Sequence, residues 1–125
     1  MSDRKALSKA ETEVARIVWE RSAATVRDVL EALPPARAID YKTVQTFLRR
    51  LEAKGYLVSR RQGRSLVYVP AVNPDDVIQE TVHDFIGRLF DGEPLPLVEH
   101  LIKDQKLKAA DIDRLRGLLD ELEQG

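Results

Sequence analysis

Residues 40–70, DYKTVQTFLRRLEAKGYLVSRRQGRSLVYVP, decide the fold of this 125-residue chain. In the first half of the stretch, apolar residues recur at the spacing of one helical face: Val44, Phe47, Leu48 and Leu51. Gly55 then supplies a left-handed C-terminal stop. The second half changes to two β-prone runs, residues 56–61 and 66–69, joined by a polar connection with the glycine that a hairpin favours. The stretch therefore predicts a helix that begins after Asp40 and is followed by a β-hairpin.

Two more helices are predicted ahead of this stretch. Residues 8–11 have the Ser-x-x-Glu form of a capping box, and helical apolar spacing follows it. A second capping pattern begins at Thr25, and Pro34 with Pro35 ends its short apolar stripe because proline cannot continue a helix. The order helix, helix, helix, hairpin is that of a winged helix-turn-helix, which we assign to residues 1–72.

Residues 73–125 are predicted to form a second domain of amphipathic helices. Three helices in a segment of this length are marginal alone, so their apolar stripes require another surface, and a second copy of the chain is the simplest candidate. The residues expected at this dimer interface are Ile78, Val82, Phe85, Ile86, Leu89, Leu101, Ile112, Leu115, Leu119 and Leu122. The predicted fold class is thus mostly α with a small β-hairpin, a winged helix-turn-helix followed by a helical dimerisation tail.

The net charge of −1 conceals an uneven distribution. Residues 1–72 hold fourteen Lys and Arg against eight Asp and Glu, whereas residues 73–125 hold six against thirteen. The first part therefore carries +6 and the second −7. Asymmetry of this size indicates one part that binds a polyanion and another part with a different task.

The positive charge of the first part is concentrated on one face. Polar and basic residues lie opposite the apolar side of the helix after Asp40 or on the hairpin: Lys42, Thr43, Gln45, Thr46, Arg49, Arg50, Arg60, Arg61 and Arg64. Between Lys42 and Arg64 the one acidic residue is Glu52. Arg and Lys pair with guanine, Gln with adenine, and Thr with the thymine methyl. The face therefore predicts a helix in the major groove of DNA, with the hairpin arginines on the backbone or in the minor groove.

Two further expectations concern this face. The N-terminal end of the helix is expected to add attraction for phosphate. The same basic face would also suit a winged-helix protein-interaction module that binds an acidic partner protein. Competition separates the two functions, because random duplex DNA would fail to displace such a partner.

The sequence offers little for catalysis or metal binding. There is no cysteine, and His83 and His100 lie on predicted amphipathic helices without carboxylates at ligand-type spacing. No phosphate-cradling glycine loop occurs. We therefore expect that the protein is not an enzyme and that it binds no metal and no cofactor. No apolar run reaches membrane-spanning length and none follows the first five residues, so we expect a cytoplasmic protein without direct membrane association.

One set of motifs runs through nearly the whole chain. It consists of Leu7-Ser8-x-x-Glu11, Trp19, Thr25-Val26-x-x-Val29-Leu30, YKTVQTFLRRLEAKGYL at residues 41–57, Gly63-Arg64, Tyr68, and Leu107-x-x-x-Asp111-Ile112-x-x-Leu115-x-x-Leu118-Leu119. In these motifs the chain resembles the penicillinase-repressor family (BlaI/MecI/CopY type) of winged-helix transcriptional repressors.

The resemblance implies a homodimeric repressor that binds an inverted-repeat operator. The recognition-helix residues that it implies face the DNA are Lys42, Thr43, Gln45, Thr46, Arg49 and Arg50. The resemblance also implies a membrane-bound sensor protease as a partner that triggers cleavage of the dimerisation tail. In the penicillinase repressors the cut falls at an Asn-Phe pair, and the aligned pair here is His100-Leu101, the candidate cleavage position. Copper-responsive members carry a cysteine cluster that this chain lacks, which excludes metal sensing through thiolates.

Overall fold

The computed structural model describes residues 5–104 and 106–125. In chain order its elements are α1 Lys9–Arg21, α2 Val26–Ala32, α3 Tyr41–Ala53, β1 Leu57–Gln62, β2 Ser65–Pro70, α4 Pro74–Leu89, α5 Pro94–Asp104 and α6 Ala109–Gln124. A short 3-10 turn, Pro35–Arg37, lies between α2 and α3. The predicted class, mostly helical with one small hairpin, is confirmed. The first four residues, on which the expectation of a cytoplasmic protein partly rests, lie outside the described residues.

The chain divides into two compact units, one that ends at Glu80 and one that runs from Thr81 to Gly125. The division falls inside α4, and Val77 from its first turns is buried in the core of the first unit. The functional division after residue 72, into a DNA-binding and a dimerisation domain, stays a prediction.

Side chains before the helices satisfy the free amide groups of their first turns. The hydroxyl of Ser8 accepts from the N–H of Glu11 at 3.2 Å, and the Glu11 carboxylate accepts from the N–H of Ser8 at 2.9 Å. Thr25 and Asp28 make the same reciprocal pair at 3.1 and 3.0 Å. Both predicted capping boxes are therefore confirmed, and they define where α1 and α2 begin.

The core of the first unit is built from one face of each of its helices together with the hairpin. Its buried apolar residues are Val14, Ala15, Val18, Ala24, Val26, Val29, Leu33, Val44, Leu48, Leu51, Tyr56, Leu57, Tyr68 and Val77. The apolar side of α3 thus faces the core, as its periodicity predicts, and the opposite side faces solvent. Trp19 packs against this core, and its buried indole N–H has no hydrogen-bond partner among the described residues.

The hairpin is anchored to the helical part through β2. The strands β1 and β2 pair antiparallel across a two-residue turn, Gly63-Arg64, in which Gly63 has a φ of +65° that favours glycine. On the outer edge of β2, the N–H of Tyr68 donates to the carbonyl of Ala24 at 2.8 Å, and the Ala24 N–H donates to the Tyr68 carbonyl at 3.0 Å. The segment before α2 therefore acts as a one-residue third strand, which the sequence did not predict.

Glu11 is a charged residue inside the first unit, with 2% of its surface exposed. Its Oε1 accepts from the ammonium of Lys54 at 2.6 Å as well as from the Ser8 amide. The Lys54 ammonium also donates to the carbonyl of Ala6 at 3.2 Å. These contacts hold the segment before α1 against the C-terminal end of α3.

Titration of Glu11 makes part of the stability depend on pH. Burial raises the pKa of Glu11. The hydrogen bonds from Lys54 and Ser8 and the positive charge of Lys54 outweigh this effect, so the pKa of Glu11 lies below its ordinary value. Such a carboxyl contributes stability above its unfolded pKa, about 4.3, and loses it as the pH falls through the folded pKa. In urea denaturation, we therefore expect the advantage of wild type over Glu11→Gln to be full at neutral pH and to shrink below about pH 4. Glu13→Gln, at a more exposed carboxylate, is the control, and an advantage that persists unchanged into acid would contradict the assignment.

The second unit contains the rest of α4 together with α5 and α6. Within the described residues, α5 and α6 contain no buried residue. Of the residues expected at a dimer interface, Ile86 and Leu115 are half-buried and the others are 40–77% exposed in the single chain. The apolar stripes of the tail are therefore uncovered in the protomer. None of the helices in the described ranges has the length and apolar character needed to cross a membrane.

Candidate nucleic-acid interface

The exposed side of α3 carries the predicted recognition residues. Lys42, Thr43, Thr46, Arg49 and Arg50 are exposed, and Gln45 is half-buried. Because Val44, Leu48 and Leu51 hold the opposite side in the core, the exposed side is presented on a rigid helix. The positions of these side chains agree with the prediction, and their contact with DNA stays a prediction.

Two of these side chains are oriented by contacts along α3. The hydroxyl of Thr46 donates to the carbonyl of Lys42 at 3.0 Å, so its methyl group and its oxygen lone pairs remain for a ligand. The guanidinium of Arg50 lies 6.0 Å from the ring centre of Phe47, at the outer limit of a cation–π contact. Arg50 is thereby held toward the edge of the exposed side.

The N-terminal end of α3 differs from the expectation of a phosphate-attracting helix end. The carboxylate of Asp40 accepts from the N–H of Thr43 at 2.8 Å. Hydrogen bonds from the side chain and the backbone of Thr43 lower the pKa of Asp40, so this group stays ionised. A negative charge at the helix end offsets the attraction for phosphate, and the attraction must come from basic side chains instead.

An open groove of about 560 Å³ separates the start of α3 from the hairpin. The residues that line it come from α2, α3 and the hairpin: Thr25, Val26, Arg27, Asp28, Glu31, Tyr41, Gln45, Arg61, Arg64, Ser65, Leu66 and Tyr68. Arg61 and Arg64 thus share one surface with Gln45 of the recognition helix. Arg60 is exposed but is not among the lining residues, since successive side chains of a strand point to opposite faces. The structure therefore brings together two of the three hairpin arginines with α3.

Arg27, a basic residue that lines this groove, is not among the residues predicted from the sequence. Arg27 lies on the exposed side of α2, and its guanidinium is 6.0 Å from the ring centre of Tyr41, the first residue of α3. Arg27 lies outside the basic stretch that runs from Lys42 to Arg64, so the clustering of charge in the sequence does not mark it. The exposed position of Arg27 on the amphipathic pattern of α2 was the signal that could have found it.

Lys54 does not belong to the exposed basic face, although it falls within the basic stretch of sequence. Its ammonium is turned toward the buried carboxylate of Glu11 and its side chain is 23% exposed. The group is thus engaged in holding the fold together. The basic face consists of the remaining positive residues of α3 and the hairpin, to which Arg27 is added.

Known proteins match nearly the whole chain. The family model for the penicillinase repressor matches residues 7–121. The chain belongs to the penicillinase repressor family. The penicillinase repressor of Bacillus licheniformis is 31% identical over 115 residues, which cover 92% of this chain and 90% of that relative.

Two solved structures of penicillinase repressors share the fold. The solution structure of the DNA-binding domain of the repressor BlaI is 34% identical with a TM-score of 0.52, and covers 61% of this chain and 93% of its own. The monomeric form of Bacillus licheniformis BlaI in complex with the blaP half-operator is 33% identical with a TM-score of 0.50 and the same coverage. The winged-helix fold and the family predicted from the motifs are confirmed.

The penicillinase repressor family is a family of transcriptional repressors, which is not an enzyme class. Among the described residues, no group of three or more His, Asp or Glu side chains is placed to hold a metal ion. His83 is exposed on α4. On the exposed surface of α5, His100 Nδ1 lies 3.1 Å from Asp104 Oδ2 at i,i+4, so the expectation that neither histidine has a carboxylate at ligand-type spacing is wrong for His100. Both histidines therefore lie on helix surfaces of the repressor's tail.

The candidate cleavage position, His100-Leu101, lies inside a helix. His100 and Leu101 are both exposed and belong to α5, Pro94–Asp104. A protease binds its substrate as an extended strand, so α5 must unwind locally before this bond can be cut.

Proposed function

We propose that the chain is a transcriptional repressor that binds an inverted-repeat operator as a homodimer, with α3 in the major groove. The observation that carries this proposal is the basic surface formed by the exposed side of α3 and the adjoining groove with Arg61 and Arg64. The complex of BlaI with its half-operator supports DNA as the partner of this surface. The proposed repressor acts in the cytoplasm.

The side chains of the surface divide into two tasks by their chemistry. Lys42 and Arg49 can pair with guanine and Gln45 with adenine, and the threonine methyl groups suit thymine. The guanidinium groups of the hairpin suit phosphate and fix the register of the protein on the duplex. Arg27 lies across the same groove and adds a phosphate contact from α2.

The homodimer is supported by the uncovered apolar stripes of α4, α5 and α6. Each of these helices exposes large apolar side chains in the single chain. A two-fold dimer would cover the stripes and present two copies of α3 to the two halves of a palindromic site. The acidic charge of the tail keeps this part of the protein away from DNA.

The proposed specificity separates base-reading from phosphate-binding residues. We expect Arg49→Ala or Thr46→Ala to lose about 1–3 kcal/mol of discrimination at particular operator positions. Arg64→Ala should weaken binding to all sequences alike and reduce the slope of log affinity against log salt by about 0.9. Fluorescence anisotropy with a selected operator and its single-base variants measures both quantities.

Arg16→Ala provides the control, because Arg16 lies on α1, is exposed and pairs with Glu20. It should leave affinity and salt slope unchanged. The proposal would be overturned if the wild type bound no inverted repeat upstream of any candidate target gene at low salt. The basic face would then be assigned to an acidic partner protein.

The proposal includes relief of repression by a membrane-bound sensor protease that cuts at His100-Leu101. Support comes from the exposure of α5 in the single chain, which leaves local unwinding of that helix as the step before cleavage. The change from Asn-Phe to His-Leu requires a protease pocket that accepts an imidazole and a branched aliphatic side chain.

A further inference from the structure

Glu52 is the one acidic residue between Lys42 and Arg64, and the proposed function leaves it without a task. A carboxylate close to DNA would repel phosphate. In the structure, however, Glu52 Oε2 accepts from the N–H of Ser59 at 3.0 Å and from the Ser59 hydroxyl at 2.7 Å. Hydrogen bonds to an ionised acceptor are stronger than neutral ones, so this contact is a firm one.

The contact joins the end of the recognition helix to the base of the hairpin. Glu52 is in the last turn of α3, and Ser59 precedes the hairpin arginines on β1. Ser59 lies opposite Tyr68 in the strand register. At this rung the backbone of Tyr68 points outward to Ala24, and the N–H of Ser59 points outward on the other edge to Glu52. The hairpin is therefore fastened on both edges at the same rung, to the segment before α2 and to α3.

We infer that Glu52 is a positioning residue for DNA binding, which sets the hairpin against α3 so that Arg61 and Arg64 reach the backbone flanking the major groove. The inference rests on the proposed operator binding. Its geometric basis is independent of DNA, because the Glu52–Ser59 contact is present in the protein alone. Between this rung and the turn, no other hydrogen bond among the described residues joins the hairpin to the helices. The tilt of the hairpin arginines therefore depends on this rung.

The sign of the effect distinguishes positioning from simple electrostatics. If Glu52 acted only as a negative charge near phosphate, its removal would tighten DNA binding. If it positions the hairpin, Glu52→Ala should weaken operator binding about tenfold and lower the salt slope by about 1–2, as one or two phosphate contacts are lost. Glu52→Gln removes the charge but keeps an oxygen that can accept both hydrogen bonds, and it should bind as well as wild type or better.

The experiment measures operator affinity and salt slope for the full chain with Glu52→Ala, Glu52→Gln and Ser59→Ala. Glu31→Ala is the charge control, because Glu31 lines the groove that contains Arg61 and Arg64. Its removal should tighten operator binding slightly. In a chain with Arg61→Ala and Arg64→Ala, Glu52→Ala should cause no further loss, since the two sets act through the same contacts. Circular dichroism checks that each variant is folded.

Hydrogen exchange at the Ser59 amide supplies a readout that needs no DNA. Protection of this amide should fall in Glu52→Ala and persist in Glu52→Gln. The inference is overturned if Glu52→Ala binds the operator as tightly as wild type or more tightly, or if its effect adds fully to the loss of the two arginines. A wild type that binds no operator overturns the proposed function instead, and with it the DNA role of Glu52.

Discussion

Lys54→Met should lower the free energy of unfolding by about 3 kcal/mol. The substitution keeps the length of the side chain but removes the ammonium that lies 2.6 Å from Glu11. The carboxylate of Glu11 would then remain buried with its charge uncompensated, which is far more costly than the loss of an exposed ion pair. Because the Lys54 side chain is itself 23% exposed, we place the value at the low end for buried pairs.

Urea denaturation followed by circular dichroism measures this effect, and two variants define its origin. Arg37→Met breaks the Glu13–Arg37 pair, which is slightly longer at 2.9 Å and more exposed, and should change stability by less than about 1 kcal/mol. Combining Lys54→Met with Glu11→Gln removes the unpaired charge and should recover at least half of the loss. Equal losses in the Lys54 and Arg37 variants would show that burial of Glu11 is not the cause.

Leu119→Asp combined with Leu122→Asp should abolish assembly and reduce operator affinity at least a hundredfold. Both side chains are exposed in the single chain, so the protomer does not need them for its own packing. In a dimer they would be buried, where a carboxylate is strongly unfavourable. A monomer binds only one half-site and loses the gain from linking two binding events, typically 10²–10⁴-fold.

Sedimentation measures the assembly state. Fluorescence anisotropy with the full operator measures the affinity. Arg114→Asp is the matched control, because it also lowers the net charge by two on α6. At 100° per residue, Arg114 lies roughly 120° around the helix from the centre of the apolar stripe. The control should remain dimeric and bind normally. If the double variant stays dimeric, the interface lies elsewhere and the list of dimerisation residues is wrong.

The local features of the fold could be predicted because neighbouring residues determine them. Ser8 with Glu11 and Thr25 with Asp28 are three residues apart, so each capping box can be read from sequence. The change from helical to alternating periodicity after Gly55 similarly predicts the hairpin to within one residue at its ends. In each case the physical cause lies among residues that are close in the sequence.

The contacts that assemble the site could not be predicted, because they join distant residues. Glu11 and Lys54 are 43 positions apart, and no local pattern marks them as partners. The bridge between Ala24 and Tyr68 likewise depends on how the first unit packs. Adjacent arginines on β1 were expected to act together, and the alternation of the strand separates Arg61 from Arg60.

Asp40 illustrates two sequence rules in conflict. As an N-cap it stabilises the start of α3, and the structure shows that bond. As a negative charge at the same end it works against the phosphate attraction that a helix start otherwise offers. In the structure Asp40 acts as the N-cap, because its carboxylate accepts the hydrogen bond from the N–H of Thr43.

Trp19 makes the first unit optically distinct from the second. It is the only tryptophan in the chain, and its indole packs against the core of the first unit with its N–H shielded from solvent. Its emission therefore reports on the opening of that core. Fluorescence and far-ultraviolet dichroism recorded on one unlabelled sample can thus tell whether the two halves of the repressor melt in concert or in turn.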